Sequence, residues 1–351
     1  MRPQPAATLP ASRPTCPLCG REGKVIHRGQ RDRLFGASGH WNFRRCDDRG
    51  CGLIWLDPLP SPAELQAAYT TYYTHAATGR PRQGTLKGLL TEMEWGYWAR
   101  RYGYPGGHGL RAQLLGRLLA FLPFRRRRAD GAVRNLRAVP GGRLLDVGCG
   151  TGEWLSAMRE RGWEAFGVDF DEQATRVARQ GGVDARCGTL EGQDFPAGFF
   201  DAITLSHVIE HVPDPGATLR ECGRLLKPGG RLVIYTPNGS SLSHRIFGGN
   251  WRGLEPPRHL QVFSMVSLRR ILEQAGFASV SVRPIDAQSV IYESVMLSRG
   301  RENFTGARRR PRGAMAATRL FHLLELGVLP WAPSAADCVN AVAMREPGLQ
   351  P

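Results

Sequence analysis

Lysine is nearly absent from this sequence, with only Lys24, Lys87 and Lys227 among 351 residues. Long apolar runs are also absent, since no stretch approaches the ~20 apolar residues that a membrane-spanning helix requires. The first fifteen residues contain proline, alanine and arginine without the apolar core of a secretory signal. These absences argue against membrane insertion and secretion. The expected compartment is the cytoplasm, with peripheral contact at the inner membrane surface left open.

Positive charge is in excess, with 47 Lys and Arg against 31 Asp and Glu and a formal net charge of +16. Such a surplus attracts anionic partners, which include nucleic acid, acidic lipid headgroups and phosphorylated substrates. Because nearly all of it is arginine, a GC-rich coding sequence explains it equally well. With 42% hydrophobic residues, the chain has apolar material for about two globular domains.

The chain divides into four segments by composition and periodicity. Residues 1–14, rich in proline and alanine, are predicted to be a disordered tail, and residues 15–60 contain two cysteine pairs. Residues 61–139 have helical periodicity and are predicted to form a helical linker or lid. Over residues 140–345, buried-strand patterns alternate with amphipathic helices, which predicts an α/β domain with a doubly wound, mainly parallel sheet.

The most informative motif is a glycine-rich stretch after the first predicted strand of this domain, Asp146-Val147-Gly148-Cys149-Gly150-Thr151-Gly152-Glu153. Its glycines let the backbone approach a ligand, and Asp169 after the next strand can accept hydrogen bonds from ribose hydroxyls. The spacing is G-x-G-x-G, not the G-x-G-x-x-G of dinucleotide sites, and Glu153 opposes a pyrophosphate at the helix start. Asp146 and Glu153 suit a sulfonium cation, which favours S-adenosylmethionine over a nicotinamide dinucleotide.

Leu144 to Leu155 resembles the first motif of the class I S-adenosylmethionine-dependent methyltransferases, and the likeness extends over about residues 140–285. Three further stretches occur in register with that family, namely Gly167-Val168-Asp169, Phe200-Asp201-Ala202-Ile203 and Leu225-Leu226-Lys227-Pro228-Gly229-Gly230. The resemblance implies a Rossmann-like sheet of seven strands that is parallel except for its last strand.

The same resemblance implies where the sheet ends. Phe277 to Pro284 would be one late strand, and Cys338 to Met344 would be the antiparallel strand beside it. Residues 287–333 would then form an insertion between these two strands.

A role for several cofactor-site positions also follows from the resemblance. Asp146 would orient the methionine amino group, Asp169 would hold the ribose, and Phe170 would lie along the adenine. Thr189 stands where many relatives carry an acidic residue toward the adenine amino group, so Glu191 or Asp194 are candidate substitutes. The complete predicted cofactor set is Asp146, Gly148, Cys149, Gly150, Thr151, Gly152, Asp169, Phe170, Thr189, Leu190 and Ser206.

Three histidines are candidates for catalysis. Methyl transfer mainly requires alignment, and a general base helps when the acceptor is a hydroxyl. His207 and His211 flank Glu210 after a predicted strand, and some relatives hold magnesium with Glu-x-x-Glu-His at such a place. His207 replaces the first glutamate and is a poorer ligand for a hard cation, so metal binding, a base role and a structural role all stay open. His259 lies in a proline-rich loop that resembles an acceptor-facing segment, and it is a candidate for acceptor contact or proton transfer.

The early cysteines, Cys16, Cys19, Cys46 and Cys51, have the paired spacing of a zinc ribbon. Zinc prefers four ligands in a tetrahedron, and a closed site of four thiolates is structural, not catalytic. The second pair is separated by four residues instead of the usual two. The module resembles the amino-terminal zinc module of several bacterial methyltransferases, some of which act on sugars or cell-surface glycans.

Two arginine-rich amphipathic segments, Leu110 to Arg128 and Arg299 to Leu329, fit either a membrane surface or a lid or dimer helix. The second includes the run Arg308, Arg309, Arg310 and Arg312. The sequence therefore predicts a methyltransferase that uses S-adenosylmethionine and structural zinc, most simply for O-methylation of a small-molecule, glycan or lipid-linked acceptor. A nucleic-acid-directed protein, such as an RNA methyltransferase, is the alternative, which the lack of a recognition-helix pattern disfavours. Neither the acceptor nor the oligomeric state follows from sequence.

Overall fold

The computed structural model describes residues 12–70, 85–107, 109–285, 288–303 and 311–346. Residues 1–11 of the predicted tail, and Arg308, Arg309 and Arg310 of the predicted basic run, lie outside the described residues. The strands of the described part form two sheets, a small antiparallel one and a large one of seven strands.

The small sheet consists, in order, of β1 (Gly23–Gln30), β2 (Trp41–Cys46), β3 (Ile54–Asp57) and β9 (Gln261–Val262). All of its pairings are antiparallel. The fourth strand comes from the large domain, more than two hundred residues away in the chain. The cysteine-containing segment therefore shares its sheet with the large domain.

The large sheet has the order β10-β11-β8-β7-β4-β5-β6. Its strands are β4 (Arg143–Val147), β5 (Glu164–Asp169), β6 (Asp184–Cys187), β7 (Phe200–Ser206), β8 (Leu226–Pro237), β10 (Phe277–Ile285) and β11 (Cys338–Arg345). Only β11 runs antiparallel to its neighbours, and the pairs in β8-β7-β4-β5-β6 are parallel. This confirms the predicted doubly wound, Rossmann-like fold with its single antiparallel strand.

Helices flank the sheet and connect its strands. They are α1 (Pro62–Tyr69), α2 (Thr85–Tyr102), α3 (Leu110–Ala120), α4 (Pro123–Ala132), α5 (Glu153–Arg159), α6 (Glu172–Gln180), α7 (Pro215–Leu225), α8 (Leu242–Phe247), α9 (Met265–Gln274), α10 (Gln288–Ser298) and α11 (Arg312–Val328). Side-chain caps fix several of their starts, as Ser61 does for α1 and Asp171 for α6. Within the described residues, no helix combines the length and the apolar character needed to cross a bilayer.

Each face of the sheet has its own apolar core. On one face, Trp98 of α2 and Leu119 of α3 belong to the same cluster as Leu144 of β4. On the other face, α7 and α9 pack against the sheet, and Trp55 of the small sheet joins that cluster. The small sheet thus packs directly on the core of the large domain.

One boundary differs from the sequence-based prediction. The sequence pattern predicts a helix from Leu219 to Leu226 that ends at the turn Lys227-Pro228-Gly229-Gly230, but α7 begins earlier, after Asp214. Asp214 caps it by accepting a hydrogen bond from the Ala217 amide at 2.9 Å. Strand β8 then starts at Leu226 and runs through the expected turn, which the sheet accommodates by a register shift in the β7–β8 pairing.

Candidate functional site

A cavity of about 850 Å³ opens at the carboxyl ends of β4, β5 and β7. This is where ligands bind in open α/β sheets, and the volume lies in the range of small-molecule sites. Its walls are mainly apolar and include Val147, Phe170, Leu190 and Val212. Helix α1, which follows the cysteine-rich segment, contributes Leu65 and Tyr69 to the opposite wall. The segment predicted to be a linker or lid therefore begins as part of the cavity.

The glycine-rich loop joins β4 to α5 and has left-handed backbone at alternate residues. Gly148, Gly150 and Gly152 have φ angles of +73°, +53° and +71°. Residues with a Cβ rarely adopt this left-handed conformation. A Cβ at Gly152 would lie 2.8 Å from Ala178, whereas nothing lies within 4 Å of a Cβ placed at Gly150. The loop is thus packed tightly at its helix end and open at Gly150, as a backbone that receives a ligand requires.

Asp169 ends β5 beside this loop and is 5% exposed. Its Oδ2 accepts a hydrogen bond from the Gly150 amide at 2.7 Å, and its Oδ1 accepts one from the Asp171 amide at 3.0 Å. Burial raises the pKa of this carboxyl above its ordinary value. A carboxylate oxygen accepts more than one hydrogen bond, so both retain capacity for ribose hydroxyls.

Asp146 is held from within the protein. Its Oδ1 accepts hydrogen bonds from Thr204 at 2.7 Å and from the Arg134 guanidinium. Arg134 also lies over the Trp154 ring, with its guanidinium carbon 3.6 Å from the ring centre. The methionine end of the predicted site therefore contains an arginine that no sequence pattern had singled out.

The predicted adenine end is formed by residues that follow β5 and β6. Phe170, Thr189, Leu190 and Glu191 all border the cavity, and Phe170 is 53% exposed. Of the two candidate acidic substitutes near Thr189, only Glu191 belongs to the described wall, and its Oε1 accepts a hydrogen bond from Thr218 at 2.6 Å. Asp194 is not part of that wall.

The predicted site residues therefore divide into two groups. Those that border the cavity are Gly148, Asp169, Phe170, Thr189, Leu190, His207 and His211. Those that stand outside the described wall are Asp146, Cys149, Gly150, Thr151, Gly152, Ser206 and His259. Within the second group, the Gly150 amide holds Asp169 in place by donating to its carboxylate.

His211 is the histidine with the most defined environment. Its Nδ1 lies 3.1 Å from the Arg258 carbonyl oxygen and 2.8 Å from Tyr69 Oη. A carbonyl only accepts, so the contact with Arg258 requires a proton on Nδ1 and leaves the lone pair on Nε2. Burial lowers the pKa of His211, which favours this neutral imidazole.

His207 and Glu210 form the adjacent pair. Glu210 is fully buried, with His207 Nδ1 at 3.2 Å from Oε1 and Thr236 donating to Oε2 at 3.1 Å. The hydrogen bond and charge of His207 outweigh burial and lower the pKa of Glu210 to about 2. His207 itself has a left-handed φ of 56° and borders the cavity. Glu210 and His211 both lie in a turn.

His259 lies behind His211, not in the cavity wall. Their ring centres are 4.7 Å apart, and His259 is 4% exposed with Nδ1 at 2.8 Å from the Gly253 carbonyl. Glu210, His211 and His259 offer ligand atoms within 4.8 Å of one another, so the structure groups His259, and not His207, with the other two as potential metal ligands. Each carboxylate oxygen of Glu210 already accepts one hydrogen bond from a protein group.

The four early cysteines come together as a compact cluster. Their sulfur atoms all lie within 4.8 Å of one another, with Cys16 and Cys51 3.7 Å apart and Cys19 and Cys46 3.4 Å apart. Zn–S bonds of about 2.3 Å in a tetrahedron require sulfurs about 3.8 Å apart, so the cluster matches that donor set. None of the four cysteines belongs to the described wall of the cavity.

Tyr69 is a site residue that no motif indicated. Its ring packs edge-on against Phe170 at 4.7 Å, and its hydroxyl reaches His211. The pair is 142 residues apart in sequence, and the only local signal was the capped helix that ends at Tyr69. Tyr69 therefore joins the predicted adenine side of the cavity to the candidate base.

Comparison with known proteins agrees with this geometry. The family model described as a methyltransferase domain matches residues 109–282. Together with the fold, this confirms the resemblance seen in the motifs: the chain contains a class I S-adenosylmethionine-dependent methyltransferase domain.

Curated relatives with similar sequences are ubiquinone biosynthesis O-methyltransferases. That of Idiomarina loihiensis is 42% identical over 105 residues, which cover 28% of this chain and 43% of the relative. That of Alkalilimnicola ehrlichii is 36% identical over 126 residues, covering 33% of this chain and 50% of the relative. The matched part thus spans about half the length of these relatives or less.

Solved structures that resemble the chain are more distant in sequence. Phosphoethanolamine N-methyltransferase 2 of Haemonchus contortus is 17% identical, with a TM-score of 0.47 over 84% of this chain and 63% of its own. A S-adenosylmethionine-dependent methyltransferase of Archaeoglobus fulgidus is 22% identical, with a TM-score of 0.42 over 64% of this chain and 94% of its own.

Proposed function

We propose that this protein transfers the methyl group of S-adenosylmethionine to a hydroxyl of a small, largely apolar acceptor. The observation that carries the proposal is the single cavity wall that unites Asp169 and Phe170 with the neutral imidazole of His211. The ubiquinone biosynthesis O-methyltransferases with which the chain shares its central motifs support hydroxyl chemistry.

The cofactor residues fit an adenosyl sulfonium amino acid. Asp169 accepts from the ribose hydroxyls, Phe170 and Leu190 provide apolar surface for the adenine, and Arg134 together with Asp146 offers both charges at the amino-acid end. When bound, S-adenosylmethionine supplies an electrophilic methyl group. The chain's own contribution is to align the acceptor oxygen with that methyl group and to exclude water.

His211 is the proposed general base. As the acceptor oxygen forms its bond to the methyl carbon and the carbon–sulfur bond breaks, His211 Nε2 takes the hydroxyl proton, which leaves S-adenosylhomocysteine and a methyl ether. The Arg258 carbonyl fixes the tautomer that makes Nε2 the free lone pair. Glu210 and Glu255, both buried nearby, stabilise the imidazolium that forms, and His259 acts through His211.

The substrate class follows from the wall of the cavity. Pro62, Leu65, Val208 and Val212 give the acceptor side an apolar lining, which suits an aromatic or isoprenoid compound better than a free sugar. A lipid-linked acceptor of this kind would be met at a membrane surface. The alternative of an RNA acceptor has no support in this lining.

The four-cysteine cluster is proposed to hold one structural zinc ion. The compact sulfur geometry supports it, and a closed set of four thiolates leaves no open position for chemistry. Elemental analysis of the purified protein should give one zinc per chain, and Cys51→Ser should release it. A Cys222→Ser variant, which alters a buried cysteine outside the cluster, is the control and should retain the metal.

Two measurements test the enzymatic proposal. Differential scanning fluorimetry should show stabilisation by S-adenosylhomocysteine and none by NAD. Incubation with methyl-labelled S-adenosylmethionine and fractionated cell extract should then label an organic-soluble, alkali-stable ether. Stabilisation by NAD alone, or label that enters only RNA, would contradict the proposal.

A further inference from the structure

Helices α3 and α4 present an outward surface that the catalytic site does not use. Five large apolar side chains are exposed on it, namely Leu110, Leu114, Leu118, Phe121 and Leu122, with Phe121 83% and Leu110 76% exposed. Arg111, Arg117 and Arg126 to Arg128 are exposed between and beside them. These residues are termed the α3–α4 face.

The arrangement on α3 is that of a helix lying flat on the protein. Ala112, Gly116 and Leu119 point inward and are buried, and Leu119 packs with α2 and the sheet. Leu110, Leu114 and Leu118, spaced by four residues, form a stripe on the outer side. The helix therefore packs one apolar face on the core and exposes a second apolar face to solvent. Exposed apolar patches of this kind mark interaction sites.

The charge around this stripe is mainly positive, although Arg111 pairs with Glu92 at 3.4 Å. Between Glu94 and Asp130 the sequence contains eight arginines and no acidic residue. Apolar side chains flanked by arginines on one helix face are suited to an interface where acyl chains meet anionic headgroups. A protein partner would need an acidic, apolar groove, and a nucleic acid would leave five apolar side chains unmatched.

We propose that the α3–α4 face docks the protein on a membrane that contains anionic lipid. Helix α4 leads directly from this face to Arg134, which contacts Asp146 at the cofactor end of the cleft. The docked surface thus lies one helix away from the catalytic cavity. Membrane binding itself is independent of the proposed chemistry, although its use in reaching a lipid-linked acceptor rests on the proposed function.

A second amphipathic helix provides a matched comparison. Helix α11 exposes Leu320, Leu323 and Leu324, but only Arg312 and Arg319 accompany them among its described residues. The α3–α4 face has the greater charge and apolar area, so it is the surface that binds.

Vesicle co-sedimentation tests the proposal with the full-length protein. Vesicles of phosphatidylcholine with about 30% phosphatidylglycerol should bind the protein at low salt, and vesicles of phosphatidylcholine alone should bind it far less. Changing Arg126, Arg127 and Arg128 together to glutamine should weaken binding about fivefold for each arginine. The pair Leu114→Ser and Leu118→Ser should weaken it by on the order of tenfold or more.

The pair Leu320→Ser and Leu323→Ser on α11 is the control and should bind vesicles as the parent does. Stabilisation by S-adenosylhomocysteine should be equal in all variants, which shows that they fold and keeps this test separate from that of catalysis. No sedimentation with anionic vesicles, or loss of binding only in the α11 variant, overturns the proposal. Two other results would also overturn the proposal. One is a dimer of the parent protein that dissociates in the Leu114 and Leu118 variant, and the other is RNA binding that displaces the vesicles.

Discussion

At the residue scale, His211 is the group whose chemistry depends most on its surroundings. The Arg258 carbonyl sets its tautomer, Tyr69 contacts the same nitrogen, and burial keeps the ring neutral. Each of these influences comes from a different part of the chain. A base that is uncharged and oriented before the acceptor arrives needs no reorganisation during the reaction.

Replacing this base should lower turnover without affecting cofactor affinity. We expect His211→Ala to reduce kcat by about 10²–10⁴-fold, the usual contribution of a general base. Calorimetric affinity for S-adenosylhomocysteine should be unchanged, because Asp169 and Phe170 remain in place. His40→Ala, which alters an exposed histidine, is the matched control. Parent-like turnover in the His211 variant would remove it from the mechanism.

The pH dependence of the parent enzyme should report the same group. Since burial lowers the pKa of His211, the base is neutral at pH 7 and becomes protonated only below its ordinary titration range. We therefore expect kcat/KM to be flat around neutrality and to fall only at a pH below the ordinary titration range of histidine. Tyr69→Phe should shift that acidic limb, which a purely structural tyrosine would not do.

Asp169 should determine cofactor affinity through charge and not through shape. Asp169→Asn retains the size of the side chain but loses the charge-assisted hydrogen bonds to a ribose, which contribute about 1.5–3 kcal/mol. We expect affinity for S-adenosylhomocysteine to fall on the order of 10–100-fold, measured by calorimetry. Asp184→Asn, at an exposed position of β6 outside the described cavity wall, should have little effect on affinity. Equal losses in both variants would point to a general folding defect instead.

At the scale of elements, one buried arginine connects the segment after β1 to helix α1 and to His211. Arg258 has no exposed surface; it pairs with Asp32 and Glu255 at 2.9 Å and donates to the Ala68 carbonyl at 3.0 Å. Ala68 precedes Tyr69, and the Arg258 carbonyl holds His211. The position of helix α1 and the orientation of the base thus depend on the same side chain.

Removing that guanidinium should destabilise the fold strongly. Arg258→Met removes the guanidinium that lies between the buried carboxylates of Asp32 and Glu255, although Glu255 keeps Arg252. Loss of one partner of a buried ion pair costs about 3–5 kcal/mol. Urea unfolding should show this loss in the free energy of unfolding. Arg176→Met, which breaks an exposed pair with Glu172, should cost less than about 1 kcal/mol. A small loss for Arg258 would mean that water replaces the guanidinium.

The sheet could be predicted from sequence because its signals are local. β4 and β5 are short apolar runs bounded by turn residues, and the glycine-rich loop between β4 and α5 specifies its own backbone. By contrast, β9 has only two residues, so no periodicity reveals it. The contacts of Tyr69 with His211 and of Arg134 with Asp146 depend on tertiary packing between distant segments. The sequence therefore named His207, His211 and His259 as candidate bases but did not indicate which of them has the environment of a base.

At the scale of the whole molecule, stability should depend on pH through a buried acid. Asp337 is fully buried, its amide donates to Glu325 Oε1 at 3.0 Å, and its carboxyl contacts Ser243. Burial, with Glu325 second, raises its pKa from 3.8 to about 8. The native state therefore binds one more proton than the unfolded chain between these values. Stability should fall as pH rises through this range, by up to about 1.4 kcal/mol per unit.

Asp337→Asn should remove this contribution. Because the amide does not titrate, the free energy of unfolding of the variant should vary less between about pH 5 and 8 than that of the parent. Chemical denaturation at several pH values measures the difference. The same slope in both proteins would show that Asp337 is ionised in the native state.

The pairing of Ile54 with Val262 and of Trp55 with Gln261 also determines how the gene can be divided. Cutting the chain before residue 61 would uncover the edge of β9 and remove Asp32, the counterion of the buried Arg258. It would also expose the apolar side chains of residues 251–262 that pack on the small sheet. The half that carries the nucleoside cleft should consequently aggregate when expressed by itself. Gene fusion or shuffling at that junction would succeed only if the incoming segment brought a strand of its own to restore the missing neighbour.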